Sequence, residues 1–249
     1  MTLGAVFTDR EVARLYRHRA PYPGEVLRTL RRLLVVPRTI LDVGAGTGAL
    51  ARRMVGFAER VDAVDPSAAM ISEGRRLPGG SDGRLQWVLG RAEDAPLSPP
   101  YGLITAGASL HWLDLDVALA RLRDALAPDA VMAVADTEIV HGPYRPELEA
   151  VIREHSEVEH HTETGDLMEE LNASGRFAIQ GRQRTKPMSF EQSVDDYLKV
   201  LHSTSTLARV RLGGRASRLD ADVRAVFARH DLDPVRYDVV GVVIWGQPT

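Results

Sequence analysis

Apolar positions along the chain switch between two spacings. Helical spacing opens it: Phe7, Val12, Leu15 and Tyr16 share one face of a helix predicted over residues 7–19, with Thr8 as its N-cap. Pro21-Tyr22-Pro23-Gly24 breaks the pattern, and Val26, Leu30, Leu33 and Leu34 then mark a second helix over 25–34. From Thr39 onward, short apolar runs alternate with helical stretches. Strands are predicted ending at Val43 and over 61–64, 85–89, 101–106 and 130–135, with helices over 49–57, 67–77 and 113–126. Such alternation predicts a doubly wound α/β sheet of mostly parallel strands.

The character changes after Pro143. Residues 146–170 hold nine acids against Arg153, a local charge of −8, with His155, His160 and His161 among them. His155 and Glu159 stand four apart on a helix and could share a metal, but a charged solvated face accounts for the pattern without an ion. The stretch reads as a helical insertion forming a lid. Beyond it a strand is predicted over 177–189 with Pro187 near its end, helices over 190–201 and 219–230, and a mobile Arg- and Gly-rich linker over 208–218. A last strand over 236–245 carries Val239, Val240, Val242, Val243 and Ile244 and suits a buried position. The expected organisation is one globular domain: a helical cap (1–38), an α/β core (39–140), the lid (141–176) and a stretch completing the sheet (177–249).

One stretch organises the rest: Thr39-Ile40-Leu41-Asp42-Val43-Gly44-Ala45-Gly46-Thr47-Gly48-Ala49-Leu50. An apolar run ends in an acid, and three glycines follow at every second position. Glycines let a turn take positive φ and let a ligand approach bare backbone. A helix beginning there would offer unpaired N–H groups to electron-rich ligand atoms. Gly44-x-Gly46-x-x-Ala49 also satisfies a loosened dinucleotide fingerprint, which alone is a weak signal. Asp42 stands where such a loop usually carries an apolar residue. Arg60-Val61-Asp62-Ala63-Val64-Asp65 then places an acid at the end of the next strand, about 20 residues on, as recognition of ribose hydroxyls requires.

At this point the sequence resembles the class I S-adenosylmethionine-dependent methyltransferases that act on small molecules. The resemblance rests on Asp42-Val43-Gly44-Ala45-Gly46-Thr47-Gly48, Val64-Asp65-Pro66-Ser67, Gly90-Arg91-Ala92-Glu93-Asp94-Ala95-Pro96-Leu97 and Ala108-Ser109-Leu110-His111-Trp112, and covers roughly residues 7–136. It implies a Rossmann-like sheet of seven strands with the last antiparallel, and S-adenosylmethionine as cofactor. Asp65 and Pro66 would meet the ribose, and Asp42 with Gly44, Ala45 and Gly46 the backbone side of the cofactor. Met70, Ala92 and Glu93 would meet the adenine, and Ala108 would border the site. Tyr16-Arg17-His18-Arg19-Ala20-Pro21-Tyr22-Pro23 resembles the N-terminal segment of such enzymes, which implies that Arg19 pairs with the cofactor carboxylate and Tyr16 lines the cleft. Tyr22, His111, Trp112 and Asp136 are the substrate-side candidates. His111 is either a general base or, with Trp112, a structural pair closing the cleft.

Composition narrows the partners. The formal charge is −3 over 249 residues, so no global field favours nucleic acid or a membrane surface. Residues 1–38 carry eight Arg against three acids, yet lack the interleaved aromatics of a single-strand binder. With no cysteine, disulfides, thiolate metal sites and cysteine nucleophiles are ruled out. No apolar run of membrane-spanning length and no signal-peptide pattern are found, so a cytoplasmic monomer or homodimer acting on a small molecule is expected, with no metal. O-methylation is the first expectation. A nicotinamide-dependent oxidoreductase would share the glycine loop, but Asp42 and Ala92-Glu93 argue against it. A cofactor-binding scaffold on the same fold stays open.

Overall fold

The computed structural model describes residues 3–140, 142–156 and 164–249. In chain order the elements are α1 (Arg10–Leu15), α2 (Gly24–Leu33), β1 (Thr39–Val43), α3 (Ala51–Met54), β2 (Arg60–Asp65), α4 (Ala68–Arg76), β3 (Leu85–Leu89), β4 (Leu103–Gly107), α5 (Leu115–Ala125) and β5 (Met132–Val140). They continue with α6 (Arg145–His155), α7 (Thr164–Ala173), β6 (Phe177–Arg184), β7 (Met188–Gln192), α8 (Val194–His202), α9 (Arg209–Leu212), α10 (Ala216–Arg229) and β8 (Val235–Pro248).

Seven strands run in the order β3-β2-β1-β4-β5-β8-β6, and β7 pairs separately with β8. β1 is parallel to β2 and β4, β2 to β3, and β4 to β5. β6 and β7 are both antiparallel to β8. The strand order reverses between β1 and β4, and open α/β sheets bind ligands outside the carboxyl ends at such a switch point.

The chain divides into two compact units. One comprises Met1–Pro21, Ile139–His161 and Pro187–Val239; its core gathers Tyr144, Leu148, Tyr197, Leu219, Phe227 and Tyr237, with the Tyr197 and Phe227 rings edge to face at 5.1 Å. The other comprises Tyr22–Glu138, Thr162–Lys186 and Val240–Thr249 and holds the parallel strands. Its core has two layers, as strand alternation dictates. Leu41, Val43, Ile104 and Ala106 join α5 and α7, through Leu119, Leu122, Met168 and Leu171, in one layer. Ile40 and Leu103 join α2 and α3, through Val26, Leu30, Ala51 and Met54, in the other.

Several boundaries differ from the sequence expectation, each for a local reason. Gly4–Thr8 is a 3-10 turn, so α1 starts late; Asp9 caps it by accepting from Glu11 N–H at 2.7 Å, while Thr8 Oγ1 donates to Ala5 O. The helix after the glycines is a single turn, Ala51–Met54, where residues 49–57 were expected. The strand expected over 177–189 is two strands, because Pro187 has no N–H to give a ladder and β8 is long enough to pair with β6 through Val242–Pro248 and with β7 through Val235–Val239. The segment 208–218 is helical, in α9 and the start of α10, with Leu212 and Ala216 buried. Among the described residues no helix is long and apolar enough to cross a membrane.

Candidate cofactor site

The glycine turn sits at the carboxyl end of β1 with Gly44, Gly46 and Gly48 at φ 63°, 57° and 75°. These values fall in the left-handed region that side chains resist. Space matters too: a Cβ on Gly44 would stand 2.5 Å from Ser109 Cβ, and one on Gly48 2.7 Å from Trp87 Cη2. Both glycines therefore let side chains close in on the turn, Ser109 from the segment after β4 and Trp87 from β3.

Two buried acids flank the turn. Asp65, at the end of β2, accepts from Gly46 N–H through Oδ2 at 2.7 Å and from Ser67 N–H through Oδ1 at 2.8 Å. Burial pushes its carboxyl up from the ordinary value, and those two N–H groups pull the other way. Each carboxylate oxygen keeps a second lone pair. This pair of acceptor oxygens thus fits the two donor hydroxyls of a vicinal diol presented at the carboxyl edge, as the ribose of S-adenosylmethionine would present it.

Asp42 lies one strand over, 2 % exposed. It is in register with Thr105 on β4, whose hydroxyl donates to Asp42 Oδ1 at 2.7 Å; Ala51 N–H, at the start of α3, also donates to it. The Asp42 carboxyl is raised to about 7: burial pushes it up most, the two donors pull it down, and the Asp65 charge adds to the rise. Thr105 is fully buried and was not singled out from sequence. The signal was there: a hydroxyl residue inside an apolar strand run must find a partner.

The other carboxyl ends complete the edge. Ser109 Oγ donates to Val43 O at 2.7 Å, tying the segment just after β4 to the end of β1. Ala108 takes φ 50°, a strained value for a residue with a Cβ, and its N–H donates to Ala135 O at 2.9 Å. Tyr22 is half-buried, with its hydroxyl 3.0 Å from where a Gly107 Cβ would stand, and its carbonyl accepts from Arg53 Nη1 at 2.6 Å. Asp42, Gly44, Ala45, Gly46, Asp65, Ala108 and Tyr22 are thus gathered at the carboxyl ends of β1, β2 and β4. Met70 is buried in α4, behind the Ser67 cap, and Pro66 is exposed.

Other predicted residues have structural partners. Glu93 pairs with Arg91 at 3.0 Å and accepts from Asp114 N–H at 2.7 Å, just before α5. Burial would raise its carboxyl, but Arg91 and that N–H prevail and hold it low. Ala92 beside it is buried. Asp136 accepts from Thr137 N–H at 2.7 Å and from the Thr164 hydroxyl at the first residue of α7. His111 is exposed, its ring 4.7 Å from that of Trp112.

Tyr16 and Arg19 belong to the unit formed around α8 and α10. Arg19 Nε donates to Ser203 Oγ at 2.8 Å and Nη2 to Ser203 O at 2.9 Å, while its guanidinium lies 3.9 Å from the Tyr16 ring centroid. Ser203 Oγ donates in turn to Val200 O at 2.6 Å, so a lone pair is left for Arg19. A cation at the carbonyl end of α8 is favourably placed against the helix dipole. In the same unit His155 Nε2 meets Asp222 Oδ2 at 2.8 Å; Glu159, its candidate metal partner, lies outside the described residues. Among the described residues no group of three or more His, Asp and Glu gathers for a metal.

Residues 40–129 match the family model described as a methyltransferase domain. Over 86 residues the chain is 31 % identical to a malonyl-[acyl-carrier protein] O-methyltransferase of Anoxybacillus flavithermus, covering 34 % of this chain and 32 % of that protein. Over 143 residues it is 34 % identical to the protein of the same description from Geobacter sulfurreducens, covering 51 % and 53 %. The chain thus spans about a third to a half of the length of these curated relatives. Among solved structures, a candidate Type II methyltransferase from Anaeromyxobacter dehalogenans superposes with TM-score 0.66 at 26 % identity, over 92 % of this chain and 97 % of that one. The glycine turn, the two strand-end acids and the switch point lie within the matched residues, and residues 40–129 are a methyltransferase domain of the class I S-adenosylmethionine-dependent kind.

Proposed function

We propose that the chain binds S-adenosylmethionine at the carboxyl edge of β1, β2 and β4 and transfers its methyl group to an oxygen of a small-molecule acceptor. The observation that carries this reading is Asp65, buried and fixed by Gly46 and Ser67 N–H groups with a lone pair left on each oxygen. When bound, the cofactor supplies a methyl group on a sulfonium, electrophilic enough to pass directly to a nucleophile. What remains for the protein is alignment and exclusion of water, which can supply ~7–11 kcal/mol.

In this reading Asp65 holds the ribose diol, and the Gly44–Gly46 backbone and Asp42 flank the methionine half. Ala92, with Glu93 held against the start of α5, borders the adenine. Tyr22, His111 and Trp112 face the acceptor, with Asp136, midway along β5, beside them. Oxygen as the acceptor atom draws support from the curated relatives, which are described as O-methyltransferases. An acceptor that arrives as a carboxylate needs no base, and His111 then shapes the pocket; a neutral hydroxyl acceptor gives its proton to the His111 imidazole as the methyl arrives. The test is transfer of labelled methyl from S-adenosylmethionine to a panel of small carboxylates, their thioester-linked forms and alcohols. Labelled ester from a carboxylate supports the reading; label on nitrogen or carbon acceptors alone overturns the assignment to oxygen.

A further inference from the structure

Thr105 enters none of the sequence motifs, yet it is the fully buried polar residue that touches Asp42. Strand alternation turns both side chains toward the α2–α3 layer, whose members there are apolar: Ile40, Leu50, Ala51, Met54 and Leu103. In such surroundings a carboxylate without donors would be expelled or neutralised. Two donors reach it. One is Ala51 N–H, fixed by the single turn of α3; the other is the Thr105 hydroxyl at 2.7 Å. A further charge acting on Asp42 is that of Asp65, of the same sign. The Thr105 hydroxyl also lies 3.4 Å from Leu41 O, so its proton has two acceptors, and the shorter contact is to the acid.

We infer that Thr105 is a positioning residue: its hydroxyl holds Asp42 under the glycine turn and keeps the carboxylate available to the cationic, ammonium-bearing end of the bound cofactor. The inference rests on the proposed cofactor reading, in which Asp42 flanks the methionine half. A hydrogen bond to the charged form of an acid favours ionisation, and burial opposes it. Without the hydroxyl, burial and the Asp65 charge act against Ala51 N–H alone. Asp42 then ionises only at higher pH, and the cofactor meets a neutral acid over a wider acidic range.

The experiment measures S-adenosylhomocysteine affinity by calorimetry from pH 5.5 to 9 for wild type, Thr105→Val, Thr105→Ser, Asp42→Asn and the Thr105→Val/Asp42→Asn double variant. Circular dichroism confirms folding, and the thermal midpoint of the cofactor-free protein is followed over the same range. Asp65 contributes an acid limb of its own, so the comparison is between backgrounds. The expected result is that Thr105→Val moves the acid limb of binding upward by about one pH unit, a loss of about tenfold in affinity below the midpoint. Thr105→Ser restores the wild-type profile, and Thr105→Val adds nothing once Asp42 is Asn. The pH dependence of the thermal midpoint shifts in parallel, which a mere packing defect would not produce. A folded Thr105→Val with the wild-type profile, while Asp42→Asn weakens binding, overturns the role of Thr105. An Asp42→Asn variant that binds like wild type at every pH overturns the cofactor reading of Asp42 beneath it. If Thr105→Val does not fold, Thr105→Ala carries the same comparison.

Discussion

Asp42 and Asp65 are both buried acids at strand ends, but their surroundings give them different work. Asp65 accepts from backbone N–H groups of the turn it helps to build, whereas Asp42 faces an apolar layer with one hydroxyl and one N–H for company. Its carboxyl stands at about 7 in the fold against 3.8 for the unperturbed group. A raised acid gives stability that is fully present below pH ~4 and is lost as pH climbs through about 7, because between those values the folded state holds a proton that the unfolded state has released. Asp42→Asn should flatten that loss and leave the cofactor-free protein more stable than wild type at pH 8, by roughly 1–4 kcal/mol. Thermal unfolding between pH 5 and 9 checks this; parallel curves for the two proteins would show that Asp42 does not titrate there. Gly44 illustrates a steric limit at the same scale. Gly44→Ala must adopt φ 63° and displace Ser109 Cβ from 2.5 Å, so a clear fall in thermal midpoint is expected, with cofactor affinity falling alongside.

Caps and helix ends decide much of what happens to single elements. Ser67 starts α4 by accepting from Met70 N–H at 3.1 Å, immediately after the acid that holds the turn. Ser67→Ala should cost about 1 kcal/mol, read as a lower denaturant midpoint at unchanged slope; an unchanged midpoint would mean the cap is dispensable. At the carbonyl end of α8, Arg19 gives two donors to Ser203 and stacks on Tyr16. Arg19→Ala should therefore lower thermal stability by roughly 1–3 kcal/mol, and an unaltered melting curve would contradict the capping role. The element scale also shows where sequence falls short. Apolar runs place β1, β2, β3 and β4 within a residue or two, because buried parallel strands tolerate little else; β5 was expected over 130–135 and runs on to Val140 through polar residues that the apolar pattern does not mark. The one-turn α3 was invisible, since Ala49–Phe57 has helical spacing and the turns that end it are set by packing, with Arg53 drawn to the Tyr22 carbonyl. The β6–β7 break was half visible in Pro187; the length of β8 that makes room for both strands was not.

Across the whole molecule, the parallel half carried its identity in short motifs, and the half built from α6, α8 and α10 did not. Glycines at positive φ and acids at strand ends are chemical requirements that few other residues meet, so the turn at Gly44 and Gly46 and the acids Asp42 and Asp65 beside it were legible. Thr105 and Ser109 were not, because their roles depend on register between strands far apart in sequence. The partners of Glu93, Asp136 and Arg19 were hidden for the same reason, each being a tertiary contact made by a residue with an ordinary surface chemistry. The central claim is that Asp65 holds a ribose diol beside the glycine turn. It is tested most directly by calorimetric titration of wild type and Asp65→Ala with S-adenosylmethionine and S-adenosylhomocysteine, with NAD as a control. Saturable binding of both adenosyl ligands to wild type, no binding of NAD, and a loss of roughly 1.5–3 kcal/mol in the folded variant are the predicted result. Equal affinity in a folded Asp65→Ala would contradict it.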